Sequence, residues 1–420
     1  MIKGIRGFKD ILPEETPAWS WLESRARELL LRYGFSEVRL PILERTELFA
    51  RSIGEATDIV EKEMYTFVDR SGESLTLRPE ATAGMVRAFI EHGLHVRPRP
   101  LRLFTIGPMF RHERPQKGRL RQFHQVDVEV FGEASAGVDA ELVALALEIL
   151  SAGGARDLRL EINSLGCPEC RKPYRDELRK FLLARRDRLC EDCQRRAERN
   201  PLRALDCKKE SCQAEFREAP GLSSFLCEDC REHYQAFREY LREAGIRFEE
   251  NIRLVRGLDY YTRTIFEIKA PGLGAQDTVA AGGRYDGLVS ALGGPETPAV
   301  GFAIGMERWL LTARPPQDLR PAPELFIAPL GEEALRRALW LALHLRRKGL
   351  RVETDYGGRS LKALLRQADR LGARMVLILG EEELRSGRAI LKDLSSGFQQ
   401  VLPFSDLRDL SNRILIEILF

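Results

Sequence analysis

The stretch Phe123-His124-Gln125-Val126-Asp127-Val128-Glu129-Val130-Phe131 decides how the first part of this chain folds. Its residues alternate as expected of a β-strand, whose successive side chains point to opposite faces of a sheet. One face carries three valines, which predicts contact with a hydrophobic core. The other carries an amide and two carboxylates between aromatic rings, and is either a solvated surface or the floor of a pocket. The bracketing rings favour a pocket in which the polar groups orient a small ligand.

The segment before this strand is rich in basic residues. It reads Phe110-Arg111-His112-Glu113-Arg114-Pro115-Gln116-Lys117-Gly118-Arg119-Leu120-Arg121 and joins two predicted strands through a loop with proline and glycine. Alone, a basic hairpin tip is usually a solubilising surface. Beside the polar strand face it predicts phosphate binding, because guanidinium groups make two-point contacts with phosphate oxygens.

Length and composition describe a globular chain of two or three domains. The chain has 420 residues, of which 44% are hydrophobic and 31% charged. No apolar stretch approaches the roughly 18 residues of a membrane span, and the first ten residues lack the apolar core of a secretory signal. We therefore expect a cytoplasmic protein with no membrane partner. The absence of Gly-Lys, His-Glu-x-x-His and Gly-x-Ser-x-Gly excludes P-loop NTPases, zinc proteases and serine hydrolases.

Periodicity predicts helices and strands in residues 1–320. After Pro17, apolar residues recur at helical spacing, and residues 37–43 alternate as a strand that contains Pro41. Further strands are predicted at 101–106, 110–113, 123–131, 252–268 and 278–281.

The proline-rich residues 312–323 predict a linker. Beyond it, strand-like and helix-like segments alternate at 324–329, 332–348, 350–355, 360–371 and 374–379. This alternation predicts a small α/β domain over residues 321–420 with a mostly parallel sheet. The last hundred residues carry 16 basic and 13 acidic side chains, which is compatible with a polyanionic partner.

All eight cysteines lie in a charged helical insertion at about 167–245. They form four close pairs, Cys167/Cys170, Cys190/Cys193, Cys207/Cys212 and Cys227/Cys230. In a reducing compartment such pairs are more often metal ligands than disulfides, and the repeated Cys-x2-Cys pattern predicts structural zinc.

Helix lengths restrict how these pairs combine. A helix over 172–189 would be about 27 Å long, so the pairs at its two ends cannot share an ion. If the helix predicted at 231–244 runs antiparallel to the one predicted at 172–189, the pair Cys227/Cys230 lies beside the pair Cys190/Cys193. We therefore expect the zinc ligands Cys190, Cys193, Cys227 and Cys230. The pair Cys207/Cys212 competes for either place.

Three motifs, in this order, resemble the class II aminoacyl-tRNA synthetases. They are the first helix with the strand around Pro41, the segment from Phe110 to Phe131, and Gly301-Phe302-Ala303-Ile304-Gly305-Met306-Glu307-Arg308. Further stretches resemble the histidyl-tRNA synthetase family within that class: Leu77-Arg78-Pro79-Glu80-Ala81-Thr82, Arg256-Gly257-Leu258-Asp259-Tyr260-Tyr261 and Gly282-Gly283-Arg284-Tyr285-Asp286-Gly287. The resemblance implies an α+β catalytic domain built on an antiparallel sheet over 1–320, an anticodon-binding domain over 321–420, and a homodimer whose interface includes the first motif.

The resemblance implies an ATP site formed by Arg111, Glu113, Arg119, Phe123 and Arg308. In the family pattern Arg111 holds the α-phosphate and Arg119 the distal phosphates, while Arg308 covers the adenine opposite Phe123. Arg256 resembles the family's additional arginine at the α-phosphate. Arg111 and Arg256 are therefore the expected catalytic residues, because fixed donors stabilise charge that develops on the phosphate.

The resemblance also implies a histidine site formed by Glu80, Thr82, Arg111, Gln125, Glu129, Arg256, Tyr260 and Tyr261. Glu80, Thr82 and Gln125 are expected at the α-amino group. Glu129, Tyr260 and Tyr261 are expected at the imidazole. A site that pairs both ring nitrogens discriminates by roughly 10⁴ or more, because other side chains leave its buried polar groups unsatisfied. Asp127 shares the polar face, but no role is assigned to it.

The implied activity is the activation of L-histidine with ATP and Mg²⁺, followed by transfer of the histidyl group to tRNA(His). In the last domain, a basic helical stripe is expected to contact tRNA through Arg359, Lys362, Arg366 and Arg370. One alternative is a non-catalytic, histidine-sensing relative, which predicts loss of the arginines and of the last domain. Another is a zinc-dependent nucleic-acid-binding protein, which leaves the tyrosine pair and the glycine-rich motifs unexplained.

Overall fold

The computed structural model describes residues 2–54, 57–274, 277–317, 319, 322–408 and 410. The chain forms two compact units, the first ending at Pro316 and the second beginning at Gln317. Among the described helices, none combines the length and apolar character that a membrane span requires.

The first unit contains both helices and strands. Its strands are β1 Ser36–Glu37, β2 Leu43–Arg45, β3 Tyr65–Val68, β4 Ser74–Leu77, β5 Leu101–Phe110, β6 Gln122–Phe131, β7 Arg159–Ser164, β8 Glu249–Glu250, β9 Thr262–Lys269, β10 Thr278–Arg284 and β11 Ala299–Gly305. Its α-helices are α1 Thr16–Arg32, α2 Thr46–Ile53, α3 Thr82–Glu91, α4 Ala136–Ala152, α5 Pro168–Leu183, α6 Glu191–Arg199, α7 Pro201–Ala204, α8 Glu210–Glu215, α9 Glu228–Glu243, α10 Leu288–Ala291 and α11 Met306–Thr312.

A large sheet organises this unit, with strands in the order β1-β5-β6-β11-β10-β9-β7-β8. The six inner strands are antiparallel, and the two short edge strands pair in parallel with their neighbours. The expected antiparallel sheet is confirmed. On β6, Val126, Val128 and Val130 are fully buried in a core shared with α1 and α4. The opposite face of β6 is therefore free to display its polar side chains.

The strand predicted at 37–43 is wrong, because only its ends are β-strand. Pro41 has no backbone N–H to give to a ladder. The guanidinium of Arg78 donates to the carbonyl oxygens of Leu40 at 3.2 Å and of Pro41 at 3.5 Å, in place of a neighbouring strand. The chain then enters β2, which belongs to a separate three-stranded sheet ordered β2-β4-β3.

Three other predicted strands also differ in extent. The strands expected at 101–106 and 110–113 form one strand, β5, which ends at Phe110. The strand expected from 252 begins only at Thr262, so the preceding segment 254–261 is irregular.

The cysteine-rich insertion is helical, as predicted, but its helices begin earlier than expected. Three of its cysteines are the residues immediately before a helix: Cys167 precedes α5, Cys190 precedes α6 and Cys227 precedes α9. The second cysteine of each Cys-x2-Cys pair is then buried in the first turn. Each such pair therefore places two sulfur atoms at the N-terminus of a helix.

The second unit is a layered α/β domain. Its strands are β12 Leu325–Pro329, β13 Val352–Thr354, β14 Met375–Leu379, β15 Arg388–Asp393 and β16 Gln399–Pro403, and its α-helices are α12 Glu332–Arg347, α13 Leu361–Arg370 and α14 Glu381–Ser386. The sheet order is β13-β12-β14-β15-β16. The first three strands are parallel and the last two antiparallel, so the sheet is more mixed than predicted. Helices α12 and α13 pack on opposite faces of the sheet.

Candidate active site

A cavity of about 390 Å³ opens on the polar face of β6. Every residue that the sequence assigned to histidine or ATP lines it: Glu80, Thr82, Arg111, Glu113, Arg119, Phe123, Gln125, Glu129, Arg256, Tyr260, Tyr261 and Arg308. Asp127 lines it as well. The fold thus brings residues that are far apart in sequence into one site.

Glycines Gly301 and Gly305 of β11 line this cavity. Gly301 lies opposite Glu129 in the antiparallel register, and a Cβ at Gly301 would be 1.6 Å from Glu129 Oε2. A Cβ on Gly282 would be 2.2 Å from the carbonyl oxygen of Gly301. Gly301 is therefore required because the Glu129 carboxylate lies directly against its backbone, and Gly282 because the backbone of β11 is equally close to it.

One part of the cavity is acidic and centred on Glu129. Its two carboxylate oxygens accept hydrogen bonds from Thr82 Oγ1 at 2.6 Å and from Tyr285 Oη at 2.5 Å. Burial raises the pKa of Glu129 to about 8, against the opposing effect of these two hydrogen bonds. Burial, followed by the charge of Glu80, also raises the pKa of Asp127 to about 8. A cation entering here would favour the ionised form of both groups.

Glu80 adds a third buried carboxyl group at the N-terminus of α3. Its oxygens accept hydrogen bonds from the backbone N–H groups of Thr82 and Ala83, both at 2.9 Å. These N–H groups have no partner within the helix, so the carboxylate caps it. Tyr260 Oη donates to Glu80 Oε2 at 3.5 Å. The carboxylate is therefore fixed by the helix that follows it.

Two buried polar atoms in the acidic part have no hydrogen-bond partner among the described residues. They are Gln125 Oε1 and Asp127 Oδ2. A buried polar group left unpaired costs about 1–3 kcal/mol. N–H groups of a ligand would remove this cost, which makes the acidic part suitable for an ammonium or imidazole group.

Another part of the cavity is basic, because it is lined by four arginines: Arg111, Arg119, Arg256 and Arg308. Burial, and to a smaller degree neighbouring guanidinium groups, lower the pKa values of Arg111, Arg119 and Arg308. Their mutual influence shows that these cations lie close to one another. A polyphosphate would relieve their repulsion and match their donor geometry.

Arg256 is oriented by an acidic residue that the sequence reasoning did not assign. Its Nη1 forms an ion pair with Glu267 Oε1, while Glu267 Oε2 accepts a hydrogen bond from Thr278 Oγ1 at 2.9 Å. Burial alone would lower the pKa of Arg256, but the negative charge of Glu267 raises it. The guanidinium therefore stays charged inside the cavity.

Neighbouring groups also fix the other cations of the site. The guanidinium carbon of Arg111 lies 5.2 Å from the centre of the Phe123 ring, and Arg111 Nε donates to the carbonyl oxygen of Pro79 at 2.8 Å. Arg119 pairs with Glu113 across the hairpin. Arg308 donates to the carbonyl oxygens of Gly118 at 3.1 Å and Thr278 at 2.7 Å. The arginines are thus held in place by the protein itself.

Tyr285 and Glu267 were missed as site residues because each acts through another side chain. Tyr285 lies in the Gly282–Gly287 segment, which the sequence reasoning singled out for its glycines. Glu267 lies on β9, and its partner Arg256 lies in the irregular segment before that strand. Only the folded structure places Tyr285 against Glu129 and Glu267 against Arg256.

The eight cysteines form two groups of four outside this cavity. Cluster one consists of Cys167, Cys170, Cys227 and Cys230, and cluster two of Cys190, Cys193, Cys207 and Cys212. Within each cluster all sulfur atoms lie within 4.8 Å of one another. Hydrogen bonds from helix N-termini and neighbouring thiols outweigh the effect of burial and lower the pKa values of Cys167 and Cys190 to about 7. Thiolates are the form that binds metal.

The predicted zinc quartet, Cys190, Cys193, Cys227 and Cys230, is therefore wrong. It assumed that the last long helix returns alongside the end of α5. Instead α9 begins where α5 begins, since Cys167 Sγ is 4.0 Å from Cys227 Sγ. The pair Cys207/Cys212 completes the second cluster. The expectation that the first two pairs cannot share an ion is confirmed.

The basic stripe of the second unit is partly as predicted. Helix α13 begins at Leu361, so Arg359 precedes it. The Arg359 side chain nevertheless contacts the helix, because it donates a hydrogen bond to Oε1 of Gln367 on α13 at 3.2 Å. The remaining members of the stripe are exposed on α13: Lys362, Arg366 and Arg370.

Comparison with known proteins agrees with the fold. A family model described as "Histidyl-tRNA synthetase" matches residues 7–309, and one described as "Anticodon binding domain" matches residues 324–412. The histidine–tRNA ligase of Syntrophotalea carbinolica is 51% identical to this chain over 399 residues, which cover 95% of each protein. That of Geobacter sulfurreducens is 51% identical to this chain over 405 residues, which cover 96% of this chain and 98% of the ligase. The crystal structure of apo histidyl-tRNA synthetase from S. aureus has a TM-score of 0.82 at 37% identity, covering 98% of this chain and 99% of that one.

Together the antiparallel sheet, the arginine-lined cavity and the separate second unit define a class II aminoacyl-tRNA synthetase fold with an anticodon-binding domain. The matches narrow this class further. The chain belongs to the histidyl-tRNA synthetase family.

Proposed function

We propose that this protein is a histidine–tRNA ligase that activates L-histidine with ATP and transfers the histidyl group to the 3′-terminal adenosine of tRNA(His). The observation that carries the proposal is a single cavity in which three buried carboxyl groups lie beside four arginines. The carboxyl groups suit a positively charged amino acid, and the arginines suit a triphosphate. The two substrates of amino-acid activation therefore meet in one site.

The first step joins histidine to the α-phosphate of ATP. A carboxylate oxygen of histidine forms a bond to the α-phosphorus, the bond to the bridging oxygen breaks, and pyrophosphate leaves. Arg111 and Arg256 act as catalytic residues by stabilising the negative charge that spreads over the α-phosphate oxygens. Glu267 keeps Arg256 oriented, and Arg119 and Arg308 hold the departing phosphates.

Mg²⁺ accompanies ATP in this proposal. It takes most of its ligands from phosphates and water, and one or two from carboxylates. Glu113 lines the basic part of the cavity and is the carboxylate that we assign to it. The ion neutralises phosphate charge when bound.

Histidine is selected at Glu129, which reads the imidazole together with Tyr260 and Tyr261. Each oxygen of Glu129 accepts one hydrogen bond from the protein and retains capacity for another, because a carboxylate oxygen has two lone pairs. Glu80, Thr82 and Gln125 hold the α-amino group. Amino acids without a ring N–H leave these buried groups unpaired, which is the basis of discrimination.

The second unit binds the anticodon region of tRNA(His) in this proposal. Lys362, Arg366 and Arg370 are exposed at intervals of four residues on α13 and can contact successive phosphates. Arg359 extends the stripe at the start of the helix. These contacts position the tRNA, while base-edge contacts specify it.

The alternative of a histidine-sensing, non-catalytic relative predicts loss of the arginines and of the last domain, and this chain has both. Pyrophosphate exchange with each of the twenty amino acids tests the choice. We expect exchange with histidine alone and charging of tRNA(His) with histidine. Exchange with another amino acid, or with none, would overturn the proposal.

We also propose that each cysteine cluster holds one structural zinc ion. Four sulfur atoms at about 2.3 Å from a tetrahedral zinc lie about 3.8 Å from one another. Sulfur separations of 3.5 and 4.0 Å in cluster one and 3.9 Å in cluster two fit this spacing. A disulfide would need about 2.05 Å.

The protein is proposed to be a cytoplasmic homodimer. The region around Pro41 and the small β2-β4-β3 sheet leaves several large apolar side chains at least 41% exposed: Ile42, Leu43, Phe67 and Val68. This concentration of exposed apolar side chains in one small region supports an interface there. Sedimentation equilibrium should give twice the monomer mass.

A further inference from the structure

The segment that carries three of the proposed site residues has no regular backbone structure. Residues 254–261 lie in the connection between β8 and β9 and include Arg256, Tyr260 and Tyr261. Side chains from other elements hold its backbone carbonyl groups in place of a sheet ladder. Asn163 Nδ2 donates to the carbonyl oxygen of Leu254 at 2.9 Å. Arg171 and Arg203 come from the cysteine-rich insertion and hold two further carbonyl groups of the segment.

Arg203 makes the contact closest to the chemistry. Its Nη1 donates to the carbonyl oxygen of Arg256 at 3.2 Å. Its side chain is 7% exposed, although it belongs to the four-residue helix α7. Gly257 permits this approach, because a Cβ there would be 3.1 Å from Arg203 Nη1. The guanidinium therefore packs directly against the backbone that presents Arg256.

A second partner fixes the other side of the Arg203 guanidinium. Its Nη2 donates to Asp58 Oδ2 at 3.2 Å, and the same oxygen accepts from Arg196 Nη2 at 2.5 Å. Asp58 lies in the first part of the catalytic unit, outside the insertion. Arg203 thus bridges the Asp58 carboxylate and the Arg256 carbonyl in a two-point contact that the fork of a guanidinium can make.

Cluster two determines where Arg203 lies. Arg203 is on α7 between Cys193 and Cys207, two members of the cluster, and Cys193 Sγ is 3.8 Å from the carbonyl oxygen of Ala204. Cys190 N donates to Cys212 Sγ at 3.3 Å, which ties the start of α6 to α8. The sulfur atoms therefore close a short loop whose buried side chain points at the active-site segment.

We propose that Arg203 is a positioning residue for Arg256, and that the cysteine-rich insertion serves adenylate formation through it. Arg203 holds the backbone of Arg256 so that its guanidinium meets the α-phosphate in the transition state. This inference rests on the proposed function, and it adds a residue, Arg203, that touches neither histidine nor ATP in that proposal.

A double-mutant cycle on the full chain tests the proposal. Arg203→Ala, Arg256→Ala and the double variant are compared with wild type by histidine-dependent pyrophosphate exchange. We expect Arg203→Ala to lower kcat about a hundredfold, as a misplacement of about 1 Å can do, with the KM values for ATP and histidine nearly unchanged. In the absence of the Arg256 side chain, the Arg203 substitution should cost almost nothing more, because the two residues act as one unit.

Additive losses in the cycle, or an unchanged kcat for Arg203→Ala, would overturn the positioning role. Wild-type protein without histidine-dependent exchange would instead contradict the proposed function. Arg203→Lys should recover part of kcat, because it keeps the charge but lacks the fork. Gly257→Ala disturbs the same contact from the segment side and answers the question if Arg203→Ala does not fold. As a control, Arg195→Ala on α6 should leave exchange unchanged, since Arg195 is 57% exposed and pairs with Asp192.

Discussion

The catalytic cavity and the cysteine-rich insertion differ in what fixes their residues. For the residues of the cavity that lie on β6 and β11, the backbone ladder sets each position, as in the register that places Gly301 against Glu129. Residues 165–248, all of which are described, contain helices and no β-strand. There, sulfur clusters and single side chains such as Arg203 set the geometry. A site built on a sheet should therefore lose activity when one atom is added to it. The insertion should lose its geometry when one sulfur atom is removed from a cluster.

The largest expected effect lies in the cavity. Arg256→Ala should lower kcat for adenylate formation by about 10² to 10³, the usual cost of removing one fixed donor from a developing anion. Histidine binding should change little, because the arginine acts mainly in the transition state. Isothermal titration with histidine and pyrophosphate exchange measure the two quantities. A higher KM with unchanged kcat would show that the arginine only binds substrate.

The second prediction tests how tightly the sheet determines the site. Gly301→Ala should lower exchange by about a hundredfold, because the new Cβ displaces the Glu129 carboxylate. Gly287→Ala in the neighbouring glycine-rich segment is the matched control, since it lies outside the lining of the cavity and a Cβ there would have no other side chain or backbone atom within 4 Å. Equal effects of the two substitutions would mean that the close approach at Gly301 is not what the site requires.

The third prediction compares the two sulfur clusters. Metal analysis of the wild-type protein should find about two zinc ions per chain, and Cys207→Ser or Cys227→Ser should each remove one. Cys207→Ser should also lower exchange about tenfold, which is about 1.4 kcal/mol of barrier, because cluster two fixes Arg203. Cys227→Ser alters cluster one and should have a smaller effect. Eight titratable thiols in native protein without zinc would contradict both parts.

The same difference explains what the sequence could and could not predict. The alternation of β6 is a local pattern, so the buried valines and the polar face followed directly from it. The strand around Pro41 failed because a distant side chain, that of Arg78, takes the place of a strand partner. The zinc quartet failed because sulfur pairing depends on where two helices begin in space. Tyr285 contacts Glu129 from a distant part of the sequence, and Glu267 contacts Arg256 in an irregular segment that no periodic pattern marks.

The smallest predicted effect concerns protons in the acidic part of the cavity. Before histidine binds, Asp127 and Glu129 have pKa values of about 8, so both are largely protonated at pH 7. An ammonium or ring N–H favours their ionised forms and lowers these pKa values, so binding should release up to about two protons at pH 7. The release should fade as the pH rises through 8, where the carboxyl groups are already ionised. Titration calorimetry in two buffers with different ionisation enthalpies measures it.

The same groups give the sign of the stability change. Their folded-state pKa values lie above the roughly 4 of an unfolded chain, so they stabilise the protein at low pH, and this contribution is lost as the pH rises from about 4 through 8. Histidine should oppose the loss, giving a larger increase in Tm at pH 8 than at pH 6. Asp127→Asn should reduce the proton release, because it removes one of the two titrating groups. Binding without proton release at pH 7 would show that the carboxylates are already charged, and that the cavity presents histidine with preformed anions.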